Sequence, residues 1–135
     1  MTLYLLDTNT VSYIIRDNPP SVRRHLVVKA VGNDIAISVV TLAELLYGVA
    51  KRGHPRALTQ LLNAFLAGVT ILPWTEDTAR HYARLRADCE ARGINLADLD
   101  MMIAAQAGYP DAVLVTRDKA FGHLTGDLTT EDWTV

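Results

Sequence analysis

The feature that most constrains the fold is the alternation of short apolar runs with longer segments of helical periodicity. The runs lie at residues 3–6, 35–39, 69–72 and 112–116, and their residues are mostly apolar in succession instead of alternating with polar ones. Strands of this kind are typical of a parallel sheet that helices cover on both faces. The pattern therefore predicts an α/β fold in which helices flank a central parallel sheet (α/β/α).

The segments between these runs carry apolar side chains at helical spacing, and glycines and prolines mark their ends. No linker-like or low-complexity stretch divides the chain, whose length suits one core. We therefore predict a single domain over residues 1–135. The predicted helices cover residues 8–16, 22–30, 41–51, 56–67, 76–91 and 98–107, followed by a turn of helix at 118–121 and an edge strand at 128–129.

The composition excludes several classes of protein. Residues 1–9 hold no basic segment and too few apolar residues for a signal peptide or a membrane span, so we expect a cytoplasmic protein with no membrane partner. Cys89 has no second cysteine or histidine pair at metal-ligand spacing, which argues against a disulfide framework or a zinc site. The net charge of −2 argues against a nucleic-acid binder that depends on bulk positive charge.

Carboxylates follow the predicted strands near the points where those strands end. Asp7 comes directly after the first strand, Glu44 lies about one helical turn beyond the second, and Asp118 follows the fourth. Asp98 and Asp100 begin the helix that leads into that fourth strand. Because the carboxyl ends of parallel strands meet at one edge of a sheet, we expect these acids to converge there.

A cluster of carboxylates needs a counter-ion, since like charges held together raise one another's pKa. Oxygen ligands without cysteine or suitably spaced histidine favour Mg²⁺ or Mn²⁺ over zinc or copper. Such an ion binds a phosphate and lowers the pKa of a bound water. The acids therefore predict a metal site that hydrolyses phosphodiester bonds.

Each acid also has a purely structural interpretation. Asp7 fits the N-cap of the first helix, and Thr41 with Glu44 fits a capping box at the start of the third. Asp98 fits an N-cap, with Asp100 in the first turn of the same helix. The spacing alone leaves both interpretations open.

A succession of sequence motifs favours the functional interpretation. These segments are LLDTN (5–9), SVVTLAELLYG (38–48), LADLDMMIAAQA (96–107), LVTRDKAF (114–121) and EDW (131–133). In their order and spacing they resemble the PIN-domain family, in the form of the VapC toxins of toxin–antitoxin pairs, and the resemblance covers almost the whole chain. It implies a PIN fold, Mg²⁺- or Mn²⁺-dependent endoribonuclease activity on transfer or ribosomal RNA, a VapB-type antitoxin that blocks the active site, a homodimer and a toxin–antitoxin hetero-oligomer.

The resemblance also assigns roles to individual acids. Asp7, Glu44 and Asp100 match the first three acidic positions of the family, and Asp118 matches the fourth. All four are therefore expected to act in catalysis as metal ligands. Asp98 lies two residues before Asp100 and is the second candidate for the third position.

Further residues are expected to support the acids or to hold the substrate. Asn9 and Thr116 match polar positions that support the acids by hydrogen bonds. Arg117, Arg16 and Arg52 are candidates for contacts with RNA phosphates, and Arg117 is the first of them because it adjoins Asp118. The apolar faces of the predicted helices 41–51 and 56–67 are expected to form the homodimer.

Two other functions compete with this one. An aspartate-nucleophile phosphatase also has an aspartate after its first strand, but it needs a second aspartate two residues later, where this chain has Asn9. A metal-free binding module could use the acids to recognise a basic peptide without cleaving anything. Nuclease assays with and without EDTA distinguish these alternatives.

Overall fold

The computed structural model describes residues 1–124 and 128–135. Its five strands form one sheet in the order β3-β2-β1-β4-β5, and every neighbouring pair is parallel. This confirms the predicted parallel α/β architecture. The strands are β1 (Leu3–Leu6), β2 (Asp34–Ser38), β3 (Thr70–Leu72), β4 (Val113–Val115) and β5 (Thr129–Glu131).

Three predicted helices have the predicted bounds, namely residues 8–16, 56–67 and 76–91. The helix predicted from residue 41 begins two residues earlier, because the Ser38 side chain accepts a hydrogen bond from the Val40 N–H and caps it. A short 3₁₀ helix covers Lys119–His123. The described residues form the α-helices α1 (Thr8–Arg16), α2 (Pro20–Lys29), α3 (Val39–Lys51), α4 (Arg56–Ala67), α5 (Glu76–Ala91) and α6 (Asp98–Gly108).

The two faces of the sheet have separate apolar cores, as the alternation of side chains along β1 requires. Leu5 packs in one core with residues of α5 and α6, such as Leu85. Tyr4 and Leu6 pack in the other with residues of α1 and α2, such as Val11. Helices therefore cover both faces, and the backbone polar groups of the central strands are buried and paired.

The strand order places a crossover point beside β1. The chain passes from β1 to β2 on one side of β1 and returns later to β4 on its other side. β1 and β4 are therefore neighbours in the sheet, and the chain leaves them in opposite directions. Ligands of open parallel sheets bind beyond the carboxyl ends of the strands at such a point. Among the described residues, no helix combines the length and the apolar character that crossing a membrane requires.

Candidate metal centre

The carboxyl ends of β1 and β4 are joined just beyond the last strand residues. The Asp7 N–H donates to the carbonyl of Val115 at 3.1 Å, and the Thr10 hydroxyl donates to the same carbonyl at 3.1 Å. These bonds hold the start of α1 against the end of β4. Asp7 is consequently fixed at the crossover point, and only 6% of its surface is exposed.

The Asp7 carboxylate caps α1, as its structural interpretation predicted. Its Oδ1 atom accepts a hydrogen bond from the Thr10 N–H at 2.8 Å. The capping bond occupies one carboxylate oxygen, and a carboxylate has further acceptor positions. The capping bond therefore orients the carboxylate without excluding a ligand role.

Glu44 is held by the hydroxyl group of Thr8, a residue that no sequence motif indicated. The Thr8 hydroxyl donates to Oε1 of Glu44 at 2.6 Å, and it lies 3.4 Å from the hydroxyl of the buried Thr41. The capping box predicted for Thr41 and Glu44 is wrong, because Ser38 caps α3 instead. Glu44 is thus oriented by a side chain of α1 across the site.

Asp98 and Asp100 lie on different sides of the first turn of α6. Asp98 has 82% of its side chain exposed and lies 3.7 Å from the guanidinium of Arg86 on α5. The predicted N-cap role of Asp98 is wrong, because Ala97 is the N-cap and makes no side-chain cap. Asp100 is half-buried, and the charges of the other acids raise the pKa of its carboxyl group.

Asp118 is the N-cap of the 3₁₀ helix. Its N–H donates to the Thr116 hydroxyl at 3.0 Å, and its Oδ1 accepts from the Ala120 N–H at 2.9 Å. Thr116 is buried whereas the Asp118 side chain is exposed. Thr116 therefore fixes the backbone of Asp118 and leaves its carboxylate at the surface. Asn9 is exposed and lines the same cavity as Glu44.

The structure brings the four predicted acids into one electrostatic neighbourhood. The pKa of the Asp100 carboxyl is raised above its ordinary value, first by burial and then by the nearby carboxylates of Asp118, Glu44 and Asp7. Asp98 is not among the groups that raise it. The N-cap of α1, α3, α6 and the loop after β4 therefore each contribute a carboxylate to one acidic site.

The acids share this site without forming a closed ligand set. Within residues 1–124 and 128–135, no three Asp, Glu, His or Cys side chains stand close enough together to hold one ion. Hydrogen bonds from Thr10, Thr8 and Ala120 engage the carboxylates of three of the acids. A shared ion would therefore require the carboxylates to lie closer together than they do here.

A buried hydrogen-bond network joins the two helices that carry Glu44 and Asp100. The Ser38 hydroxyl donates to Oε1 of Gln106 at 2.5 Å, and the Gln106 amide donates to the carbonyls of Leu72 at 3.0 Å and Pro73 at 2.8 Å. Ser38 and Gln106 are both almost fully buried. Gln106 therefore ties α6 to the start of α3 and to the end of β3. The sequence signal was a polar residue within an otherwise apolar helix.

The three predicted RNA-contacting arginines line two cavities, the first of which contains Glu44. Arg16 and Arg52 line a cavity of about 260 Å³ that also contains Glu44, Thr8 and Asn9. Arg117 lines a neighbouring crevice together with Arg16. Arg52 and Arg117 thus line different cavities, and Arg16 lines both.

Comparison with known proteins places this arrangement in a family. Residues 4–126 match the PIN domain family. The chain is 35% identical to "Ribonuclease VapC2" of Rickettsia felis, over 97% of this chain and 98% of the relative. It is 31% identical to "tRNA(fMet)-specific endonuclease VapC" of Shigella flexneri, over 98% of this chain and 99% of the relative. The VapBC2 complex of Rickettsia felis, solved bound to a DNA fragment from its promoter, aligns with a TM-score of 0.92 and 33% identity, covering 98% of this chain and 99% of that one.

Proposed function

The chain belongs to the PIN-domain family, and on that premise we propose that it is a metal-dependent endoribonuclease that acts as the toxin of a toxin–antitoxin pair. The observation that carries this proposal is the acidic site at the crossover between β1 and β4. Burial and three other carboxylates raise the pKa of Asp100 there. Such a concentration of negative charge destabilises the fold unless a cation or a cationic partner neutralises it.

The donor set fits Mg²⁺ or Mn²⁺. Asp7, Glu44, Asp100 and Asp118 supply only carboxylate oxygens, which are the ligands that these hard cations prefer. We propose all four as ligands and place Asp98 second to Asp100, because the exposed Asp98 side chain lies 3.7 Å from the Arg86 guanidinium. When bound, such a cation neutralises the charge of the phosphate and lowers the pKa of a water that hydrolyses the phosphodiester bond.

The residues of the chain orient and support this chemistry. Thr8 holds one oxygen of Glu44, which leaves the Oε2 atom for a cation or a water. Thr116 fixes the backbone of Asp118 beside the site. Attack of water on the phosphorus in line with the 3′ oxygen would leave a 5′-phosphate and a 3′-hydroxyl on the two RNA fragments.

The substrate proposed for the first assays is the initiator transfer RNA, because the Shigella flexneri relative is named for tRNA(fMet). Other transfer RNAs and ribosomal RNA loops are the next substrates to compare. Because these RNAs are cytoplasmic, the proposed site of action is the cytoplasm.

The phosphatase alternative is weakened by the structure around Asp7. Residue 9 is an exposed asparagine, so the chain lacks the second aspartate that would serve as acid and base in that chemistry. Asp7 is also buried, and its carboxylate accepts a hydrogen bond from the Thr10 N–H. The metal-free binding module predicts no cleavage under any condition, and metal titration separates it from the nuclease.

A VapB-type antitoxin is the proposed protein partner. An apolar groove of about 470 Å³ lies between α1, α2 and α4 and is lined by Ile15, Leu26 and Phe65, among others. Ile15 also lines the cavity that contains Glu44, so the groove leads towards the acids. An apolar segment of the antitoxin could bind in the groove while a basic side chain reaches the acids and replaces the charge of the cation.

This proposal is tested by a cleavage assay with purified chain, initiator transfer RNA and Mg²⁺. We expect fragments with 5′-phosphate and 3′-hydroxyl ends, and we expect the cognate antitoxin to stop cleavage. Alanine in place of the basic residues of the inhibitory segment should abolish inhibition, because the acids would lose their counter-charge. Undiminished inhibition would refute charge replacement, and the absence of cleavage of any RNA tested would refute the nuclease.

We also propose a homodimer that forms through α3. Leu46 and Tyr47 are 49% and 64% exposed on this helix, which is more apolar surface than a solvated helix needs. Light scattering at micromolar concentration should give twice the mass of the chain, and Tyr47→Glu should give the mass of one chain. Val28→Glu is the matched control, because Val28 is a similarly exposed apolar residue on α2. A monomer in the unmodified chain would contradict the proposal.

A further inference from the structure

The motif EDW (131–133) lies at the edge of the sheet that β5 forms. Its first residue, Glu131, ends β5, which pairs with β4 on the side away from β1. The Glu131 carbonyl accepts a hydrogen bond at 2.9 Å from the N–H of Thr116, the first residue beyond β4. The pairing of the two strands therefore continues to Thr116, which is two residues before Asp118.

Hydrogen bonds continue from Thr116 to the carboxylate of Asp118. The hydroxyl of the buried Thr116 accepts from the Asp118 N–H at 3.0 Å. The Asp118 carboxylate in turn accepts from the Ala120 N–H at 2.9 Å. The position of Thr116 therefore determines where the backbone of Asp118 lies, although the Asp118 side chain itself is exposed.

A single peptide group joins this end of β4 to both neighbouring strands. The peptide group between Val115 and Thr116 donates its N–H to the Glu131 carbonyl, and its own carbonyl accepts from the Asp7 N–H at 3.1 Å. Because a peptide group is planar and rigid, the two bonds together fix its position. Glu131 thus helps to determine how Asp118 lies relative to Asp7, and both of these acids are proposed metal ligands.

The side chains of the motif hold Glu131 in place. Its Oε1 atom accepts a hydrogen bond from the Trp133 indole N–H at 3.0 Å and lies 3.7 Å from the Lys29 ammonium on α2. Trp133 is almost fully buried, and its ring centre lies 5.7 Å from that of Tyr4 on β1. The three residues of β5 are mostly exposed, and a strand of this kind opens easily unless other contacts anchor it. Trp133 provides that buried anchor.

We propose that Glu131 and Trp133 are positioning residues, which hold the end of β4 and thereby place the Asp118 carboxylate at the acidic site. The inference rests on the proposed metal-dependent function and specifies which residues outside the site control its fourth acid. The bond between the two side chains has a charged acceptor and is partly shielded from water, and such bonds are among the stronger ones in proteins. Replacing residues that orient metal ligands typically lowers metal affinity or activity by about 10- to 100-fold.

The first experiment measures the backbone in the absence of metal. Amide hydrogen exchange at Thr116 and Asp118, followed by nuclear magnetic resonance in EDTA, reports the opening of the hydrogen bonds that these N–H groups make. We expect Glu131→Ala and Trp133→Phe each to speed the exchange by about tenfold, because each removes the bond between the two side chains. Glu131→Gln should keep most of the protection, because its amide oxygen can still accept from the indole N–H.

The second experiment measures metal binding and cleavage. We expect Glu131→Ala and Trp133→Phe to weaken Mn²⁺ binding, followed by electron paramagnetic resonance, by about tenfold, and cleavage should need a correspondingly higher Mg²⁺ concentration. Val22→Ala is the matched control, because Val22 lies on α2 and is buried in the same apolar core as Trp133. This variant should lower the melting temperature but leave the affinity for Mn²⁺ and the exchange at Thr116 unchanged.

Three outcomes would overturn the proposal. Unchanged exchange at Thr116 and Asp118 in Glu131→Ala and Trp133→Phe would show that the motif does not hold the end of β4, whatever the chain cleaves. An equal loss of Mn²⁺ affinity in Val22→Ala would reduce the effect to general destabilisation. A Glu131→Gln variant as impaired as Glu131→Ala would assign the effect to the ion pair with Lys29 instead of the indole bond.

Failure of the proposed function gives a different result. An unmodified chain that neither binds Mn²⁺ nor cleaves RNA would refute the nuclease. The faster exchange expected in the two variants does not depend on metal, so it would still confirm that Glu131 and Trp133 position Asp118.

Discussion

Replacement of Asp100 by asparagine is expected to lower RNA cleavage by about a thousandfold, while Asp98→Asn leaves it near the level of the unmodified chain. A metal ligand contributes several kcal/mol to the stabilisation of the transition state, and each 1.36 kcal/mol corresponds to a factor of ten. Asp100 feels the charges of Asp7, Glu44 and Asp118, whereas Asp98 is exposed beside Arg86. Single-turnover cleavage of the same RNA by the two variants measures the difference.

The Asp100→Asn variant, which is expected to lose cleavage, is expected to gain thermal stability in the absence of metal. Without metal, the raised pKa of Asp100 means that its ionised form is less favourable in the folded chain than in the unfolded chain. The resulting penalty is absent below the pKa of the unfolded group, grows as the pH rises towards the folded pKa, and is fully present above the folded pKa. Asp100→Asn should therefore raise the melting temperature of the metal-free chain at pH 7, and acidification should remove the difference.

A loss of cleavage together with a gain in stability separates a ligand role from damage to the fold. A residue that matters only for packing loses both properties when it is changed. If Asp98→Asn were inactive and Asp100→Asn active, the third acid would have been assigned to the wrong residue.

Elements with strong local signals could be predicted closely from the sequence. The bounds of α4 and α5 follow from apolar periodicity and from nearby stop signals, such as Pro55 before α4 and Gly93 after α5. The start of α3 was predicted two residues late. Val39 and Val40 are β-branched and extend the apolar pattern of β2, but the Ser38 hydroxyl ends the strand by capping the helix.

The position of the acids at the sheet edge could also be predicted, because it follows from the parallel order of the strands. Their partners could not be predicted from local patterns. Thr8 and Glu44 are 36 residues apart, and Ser38 and Gln106 are 68 residues apart. Each bond depends on how separate helices pack across the sheet, and propensity and spacing carry no information on that.

The choice between Asp98 and Asp100 illustrates the same limit. Both residues lie in the first turn of one helix, and both fit the acidic preference of helix N-termini. Arg86, on the preceding helix, lies 3.7 Å from Asp98, and the position of that helix cannot be read from the spacing of the two acids. The family resemblance favours Asp100, and the carboxylates of Asp118, Glu44 and Asp7 near it are consistent with that choice, which stays a prediction.

Removal of divalent metal is expected to abolish cleavage, and addition of Mg²⁺ or Mn²⁺ to restore it. Excess EDTA should leave no RNA cleavage above background, because the four carboxylates cannot activate water or neutralise a phosphate by themselves. Activity in excess EDTA would refute the metal requirement. A complete absence of cleavage after metal is restored would favour the binding module.

Binding of the metal can be measured independently of cleavage by thermal unfolding. An ion that binds only the folded chain stabilises it by about 2.7 kcal/mol at one hundred times its Kd. Mg²⁺ should therefore raise the melting temperature of the unmodified chain and of Asp98→Asn, but much less that of Asp100→Asn. Protons compete with the metal for the Asp100 carboxylate. Because the pKa of Asp100 is raised, acidification should remove the stabilisation by Mg²⁺ at a higher pH than it would for an aspartate of ordinary pKa. Equal stabilisation of all three chains would show that the ion binds elsewhere.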